Sequence, residues 1–128
     1  MTMETIKYDL DADGIALFTI DVPGQSMNFI TAELTRDFDT MIAMIEKDDA
    51  IKGAVITSGK PSGFMAGADL KGMGDIFSSG GVAAADGKSK MARLFDSVFT
   101  LNGLFRRLET SGKPVAAAVN GLALGGGL

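Results

Sequence analysis

Near its start the chain reads as two apolar runs around a polar break. Tyr8–Leu10 and Ile15–Ile20 flank Asp11-Ala12-Asp13-Gly14, and a short linker closing in Asp-Gly predicts two antiparallel strands joined by a tight turn. Pro23-Gly24-Gln25-Ser26 interrupts that pattern. From Thr31 onward the spacing changes, with Leu34, Phe38, Met41, Ile42 and Ile45 recurring three or four residues apart. This is the repeat of an amphipathic helix, with Thr31 as its N-cap and Glu33 in its first turn. Gly53-Ala54-Val55-Ile56-Thr57 is a short apolar run between breakers, as expected of a buried central strand. It gives way to a loop at Ser58-Gly59-Lys60-Pro61-Ser62-Gly63.

In Phe64–Leu70 small residues lead to Asp69, a residue suited to capping a short helix. Gly72 to Gly87, rich in Gly, Ser and Ala, is the best candidate for a mobile segment. Met91, Leu94, Phe95, Val98, Leu101, Phe105 and Leu108 mark a second helix, stopped by Gly112 and Pro114. Val115–Val119 is a third buried-strand candidate, and Asn120-Gly121 turns it into a closing glycine cluster. Strands alternating with helices imply an α/β fold with parallel pairing through right-handed crossovers. No solenoid repeat and no Pro/Ser linker divides the chain, and 128 residues suit one domain at most.

The absences narrow the chemistry. With no Cys and no His, the chain has no disulfide, thiolate nucleophile, imidazole base or His- or Cys-bound metal. Twelve basic against 16 acidic side chains give a net charge of −4, which argues against nucleic acid or an anionic membrane as a partner. The first ten residues, MTMETIKYDL, carry neither an apolar targeting core nor an Arg-rich face, so the expected location is cytoplasmic. Val82–Ser89 ends like a phosphate-binding loop but lacks the opening glycine and a preceding buried strand. Asp69 reads as a helix cap, Glu109 as a solvated residue near a helix end, Asp48-Asp49 as surface charge and Tyr8 as a packing residue.

Two segments place glycine and alanine where a strand ends and a helix is about to begin: Gly63–Lys71 and Lys113–Leu128. Side chains that small let a ligand reach main-chain N–H groups, and two such groups aimed at one oxygen form an oxyanion hole. Singly, each segment is as well explained by a tight turn. As a pair, Gly63-Phe64-Met65-Ala66-Gly67-Ala68-Asp69-Leu70-Lys71 followed by Lys113-Pro114-Val115-Ala116-Ala117-Ala118-Val119-Asn120-Gly121-Leu122-Ala123-Leu124-Gly125-Gly126-Gly127-Leu128 closely resembles the two signature segments of the crotonase, or enoyl-CoA hydratase/isomerase, family. Ser26-Met27-Asn28 matches that family's short Asn-containing segment, and the resemblance runs from Tyr8 onward, weakest over Gly72–Lys90.

The resemblance implies a crotonase-like ββα spiral, of which residues 1–128 are the amino-terminal half, a partial acyl-CoA-binding domain. It implies an acyl-CoA thioester substrate of fatty-acid β-oxidation, whose carbonyl oxygen sits between the backbone N–H groups of Ala68 and Gly126. Met27, Ala66, Gly67, Asp69, Leu70, Leu122 and Gly125 are then substrate-binding positions, and Lys60 and Lys71 lie close enough in sequence to meet CoA phosphates, although the plainer reading of both is a solvated surface lysine. In hydratases of the family a catalytic Glu follows the position of Leu128 and a second comes later, so neither catalytic carboxylate is expected within this chain. The rival expectation is a catalytically inactive crotonase-fold fragment, at most a CoA-binding or assembly module. The long stretch from Asp69 to Lys113 looks more like bifunctional fatty-acid-oxidation α-subunits than compact hydratases. In those a 3-hydroxyacyl-CoA dehydrogenase region follows, so NAD is expected only there and no cofactor in this chain. An oligomeric parent is implied as well.

Overall fold

A computed structural model describes residues 3–67 and 90–125, and for 90–98 the backbone alone. Strand β1 (Ile6–Leu10) pairs antiparallel with β2 (Ile15–Ile20), Ile6 opposite Ile20 and Leu10 opposite Ala16. The predicted tight turn joins them. The Asp11 carboxylate accepts the N–H groups of Asp13 and Ile15 at 2.9 and 2.8 Å, an aspartate turn that satisfies donors the strands leave over.

Helix α1 (Ala32–Lys47) begins where the cap signal placed it, with the Thr31 hydroxyl accepting the Leu34 N–H at 3.1 Å. It carries the chain across to β3 (Gly53–Ser58), which lies parallel to β2 with Ile15 opposite Gly53. Helix α2 (Lys90–Glu109) makes the second crossover and leads to β4 (Val115–Ala117), parallel to β3. The sheet order is β1-β2-β3-β4, the α/β arrangement with parallel pairing that the element order implied. The candidate mobile stretch from Gly72 to Gly87 lies outside the described residues.

The period-two alternation of β2 decides which face is covered: Ala16, Phe18 and Ile20 are buried, whereas Ile15 and Leu17 are exposed. Onto the covered face α1 sets Leu34, Met41, Ile42 and Ile45, joined by Ile51, Ala54 and Ile56. Each large side chain buried this way stabilises by roughly 1.5–3 kcal/mol. Tyr8, expected to be a packing residue, sets its ring 5.2 Å from that of Phe18 but remains 37% exposed. Burial, followed by the charges of Asp48 and Asp9, raises its phenol above the ordinary value.

Two polar clamps fix α1. Asp37, buried on its inner face, accepts the N–H groups of Glu4 and Thr5 and the Thr5 hydroxyl at 2.9, 2.8 and 2.6 Å. On the outer side Arg107 of α2 reaches Glu46 and Asp39 of α1, and these two carboxylates hold its guanidinium pKa above the ordinary value. Phe38 and Phe105 meet edge to face between the helices, ring centres 6.1 Å apart.

Strand β4 departs from expectation. The apolar run Val115–Val119 suggested a buried strand, but regular pairing stops at Ala117, and of the three strand residues only Val115 is partly covered. The reason is position: β4 is the last strand in the sheet order and is paired along one edge only, with β3. Glu109 is exposed, as expected, and pairs with Arg106 at 2.7 Å.

Candidate active site

β2, β3 and β4 are parallel, so their carboxyl ends lie together, the place where open α/β sheets gather loops able to hold a ligand. Three connections meet there. Residues 21–31 follow β2, residues 59–67 follow β3, and residues 118–125 follow β4.

The second and third are stitched by main-chain bonds. The Leu122 carbonyl accepts the N–H groups of Phe64 and Met65 at 2.9 and 3.0 Å, and the Met65 carbonyl accepts the Leu124 N–H at 3.0 Å. Met65 and Ala123 form a parallel bridge. Two glycines permit this approach. A Cβ on Gly121 would lie 2.7 Å from the Gly63 Cα, and one on Gly67 would lie 2.9 Å from the Leu124 carbonyl oxygen. Gly67 also has φ +89°, a conformation that disfavours every L side chain.

The first connection is tied to the second through Asn28. Its backbone carbonyl accepts the Ala66 N–H, and two residues on, the Ile30 N–H donates to the Gly67 carbonyl, both at 2.8 Å. The Asn28 side chain is 1% exposed. Its Oδ1 accepts the Val22 N–H at 2.9 Å, and its Nδ2 donates to the Ile20 carbonyl, the Ser58 hydroxyl and the Phe64 carbonyl at 3.0, 2.9 and 3.1 Å. Asn120 adds a bond from its Nδ2 to the Ser58 carbonyl at 2.9 Å.

Most of the expected binding positions that are described converge on this junction. Ala66 and Gly67 lie in the stitched segment, Leu122 and Gly125 in its partner, and Met27 is partly buried just before Asn28. Ala68, Asp69, Leu70 and Gly126, like Lys71, lie outside the described residues. Asn28 itself was visible in the sequence only as part of a matching segment. What marks it is a set of side-chain partners up to 36 positions away, which no local pattern reveals.

Charge at the junction is internally compensated. Lys60 is not a solvated lysine waiting for a phosphate: its Nζ bonds Asp21 and the Val22 carbonyl, both at 2.7 Å, with only 11% of its side chain exposed. That bond, opposed by a smaller cost of burial and aided by the charges of Lys60 and Lys7, lowers the Asp21 pKa below its ordinary 3.8. Behind the junction, between the sheet and the two helices, lies an apolar cavity of about 290 Å³, bordered by Met65, Phe64, Ile30, Phe38, Phe105 and Ala117 among others. Among the described residues no group of three His, Cys, Asp or Glu is placed to hold a metal ion. Nor is any described helix long and apolar enough to cross a membrane.

Comparison with known proteins agrees with this geometry. The family model for enoyl-CoA hydratase/isomerase matches residues 11–128. The fatty acid oxidation complex subunit alpha of Idiomarina loihiensis is 40% identical over 116 residues, 91% of this chain and 15% of that protein. Its counterpart in Shewanella halifaxensis is 40% identical over 131 residues, spanning all of this chain and 16% of that protein. The chain thus spans about one sixth of the length of these curated relatives. In structure it is similar to an enoyl-CoA hydratase from Bacillus anthracis, with a TM-score of 0.77 and 22% identity, over 96% of this chain and 42% of that one, a likeness of fold. With its α/β sheet matching a crotonase-fold structure and nearly its full length matching the family model, this chain belongs to the enoyl-CoA hydratase/isomerase family.

Proposed function

We propose that this chain is the acyl-CoA-binding part of an enoyl-CoA hydratase/isomerase of fatty-acid oxidation, and that it polarises the substrate's thioester carbonyl between the backbone N–H groups of Ala68 and Gly126. One observation carries the reading. The segments that run into those two residues, 65–67 and 122–125, lie side by side and are hydrogen-bonded to each other at the carboxyl ends of parallel strands. Donors that follow two stitched segments have a shared place to converge, and fixed dipoles aimed at a developing oxyanion contribute about 3–4 kcal/mol apiece. Met27, Ala66, Gly67, Asp69, Leu70, Leu122 and Gly125 line the substrate's path in this reading. The cavity behind Met65 is apolar, as an acyl chain requires.

The described carboxylates around the sheet are engaged elsewhere: Asp37 with Thr5, Asp21 with Lys60, and Asp39 and Glu46 with Arg107. Hydration needs a group to deliver water and another to protonate carbon. In this reading the chain contributes binding and polarisation, so the 128-residue chain is expected to bind substrate without turning it over. This favours a second reading for the isolated chain, a CoA-ligand-binding module. Crotonyl-CoA tests both. Hydrogen bonds to the carbonyl stabilise the excited state of the conjugated thioester, so binding should shift its absorption to longer wavelength without depleting it. Gly126→Pro, which deletes the N–H, should abolish the shift. An unshifted spectrum, or an unaffected Gly126→Pro variant, overturns the oxyanion assignment, and steady loss of absorbance overturns the inactive reading.

A further inference from the structure

We infer that Asn120 is a deamidation site, and that its conversion to aspartate or isoaspartate unfastens the junction of residues 63–67 with 121–125. The inference concerns a covalent change in the chain itself and stands apart from the function proposed above.

Asparagine followed by glycine is the dipeptide most open to this reaction, because the glycine backbone can turn its nitrogen onto the neighbouring side-chain amide without a Cβ in the way. Here the fold demands both residues. Gly121 is required because a Cβ there would lie 2.7 Å from the Gly63 Cα. Asn120 is engaged because its Nδ2 donates to the Ser58 carbonyl at 2.9 Å, tying the exit of β4 to the last residue of β3. The packing that builds the junction thus places a labile amide in it.

Asn120 is exposed and lies beyond the last residue of β4, outside helix and strand. Among the described residues the Gly121 N–H enters none of the main-chain bonds that stitch the loop, which run through Leu122 and Leu124. No ladder holds that nitrogen away from the Asn120 Cγ. Once a base has taken its proton, the Gly121 nitrogen adds to Cγ. The Cγ–Nδ2 bond then breaks, Nδ2 takes the proton back and leaves as ammonia, and a five-membered succinimide remains. Water opens the ring at one of its two carbonyls. Attack at Cγ gives aspartate, whereas attack at the main-chain carbonyl gives isoaspartate, whose backbone runs through Cβ and Cγ. The net change is one water consumed and one ammonia released.

The chain carries its own control. Asn102-Gly103 is the same dipeptide and is also exposed, but it lies inside α2, where the helical ladder engages the Gly103 N–H and fixes the backbone. Asn28 is 1% exposed, has its amide bonded through both Oδ1 and Nδ2, and is followed by Phe29. Of the three asparagines, Asn120 alone combines a following glycine with a backbone outside regular structure.

Either product undoes the clamp. A carboxylate at position 120 has no hydrogen to give the Ser58 carbonyl and meets it oxygen to oxygen. Isoaspartate also lengthens the backbone immediately before Gly121, where the contact with Gly63 has no room even for a methyl group. The bonds from the Phe64 and Met65 N–H groups to the Leu122 carbonyl, at 2.9 and 3.0 Å, are the next to give.

The test ages the wild-type chain in mildly alkaline buffer and follows it by peptide mass mapping, with trypsin separating the two Asn-Gly sites at Arg106 and Arg107. Asn120 should show the mass gain of amide to acid, and accept a methyl group from an isoaspartate methyltransferase, at least about tenfold faster than Asn102, a barrier difference of about 1.4 kcal/mol. In urea, where no helix remains, the two sites should react at similar rates. Comparable rates in the folded chain, or an Asn120 that reacts in urea and not when folded, overturn the assignment. Amide hydrogen exchange reads the consequence. Phe64 and Met65 should lose protection in the aged chain and in Asn120→Asp, while Ile42 and Ile45 in α1 keep theirs. Asn120→Gln, which would have to close a six-membered ring, should resist ageing. Protection retained at Phe64 and Met65 after full conversion overturns the unfastening, and if Asn120→Asp does not fold the aged wild type decides by the same criterion.

Discussion

The two ends of this sheet are held by different forces. At the β1–β2–α1 end, Phe18, Ile20, Met41, Ile42 and Ile45 are almost completely buried, and apolar packing dominates. At the β4 end and in the loops beyond it, Val119, Leu122 and Leu124 remain about half exposed, and order comes from main-chain hydrogen bonds and from glycines that let backbones touch. The body is defined by side-chain volume and the candidate site by peptide geometry. A site that works through backbone N–H groups needs the second kind of order, because side chains bulky enough to pack there would fill the space a ligand must enter.

That contrast is open to direct attack, and the largest effect belongs to the packed end. Met41→Ala should lower stability in a urea melt by about 2–5 kcal/mol while leaving the crotonyl-CoA red shift intact at temperatures where the chain is folded. Gly67→Ala should cost roughly 1–3 kcal/mol from its positive φ and the approach to Leu124, yet abolish the red shift. A variant with the reverse pattern would collapse the distinction. Leu122→Ala, at a half-exposed side chain, should change stability by no more than about 0.5 kcal/mol and weaken crotonyl-CoA binding measurably in a titration. Equal weakening by Leu17→Ala on the exposed outer face would remove Leu122 from the substrate's path.

The smallest effect is electrostatic. The bond to Lys60 lowers the Asp21 pKa below its ordinary 3.8, so the stability this pair contributes is complete above that value and lost as pH falls through the lower folded value. The melting-temperature difference between wild type and Lys60→Met should therefore be constant near neutrality and shrink below about pH 4. A difference that grows on acidification would refute the pairing.

Much of the body was legible because its signals are local. Thr31 capped the helix it was expected to cap, the period-four residues Leu34 to Ile45 faced the core, and β3 began at Gly53 as its breakers indicated. The end of β4 was misjudged because apolar composition reports a preference for burial and says nothing about whether a neighbour exists. Lys60 read as a phosphate contact or a solvated lysine because its partner Asp21 is 39 positions away in the chain (60 minus 21). Asp37 passed unnoticed for the same reason, its partners Glu4 and Thr5 being more than 30 positions distant. The family resemblance named Ala66, Gly67, Leu122 and Gly125 as binding positions, and the structure sets their segments, 66–67 and 122–125, side by side. The contacts that bring them together are backbone to backbone, and no side-chain pattern encodes them.

The parallel pairing of β3 with β4 carries a consequence in time. The hairpin and α1 form between near neighbours, whereas the Thr57 hydroxyl meets the Ala118 carbonyl 61 positions along the chain. Contacts of such span are entropically costly to close and tend to come late. The body is therefore expected to assemble first and the junction of residues 63–67 with 121–125 afterwards. Loosening that junction should then quicken unfolding and leave the refolding rate nearly untouched. A chain caught midway through folding would already have its core, and would lack the junction on which the proposed thioester site rests.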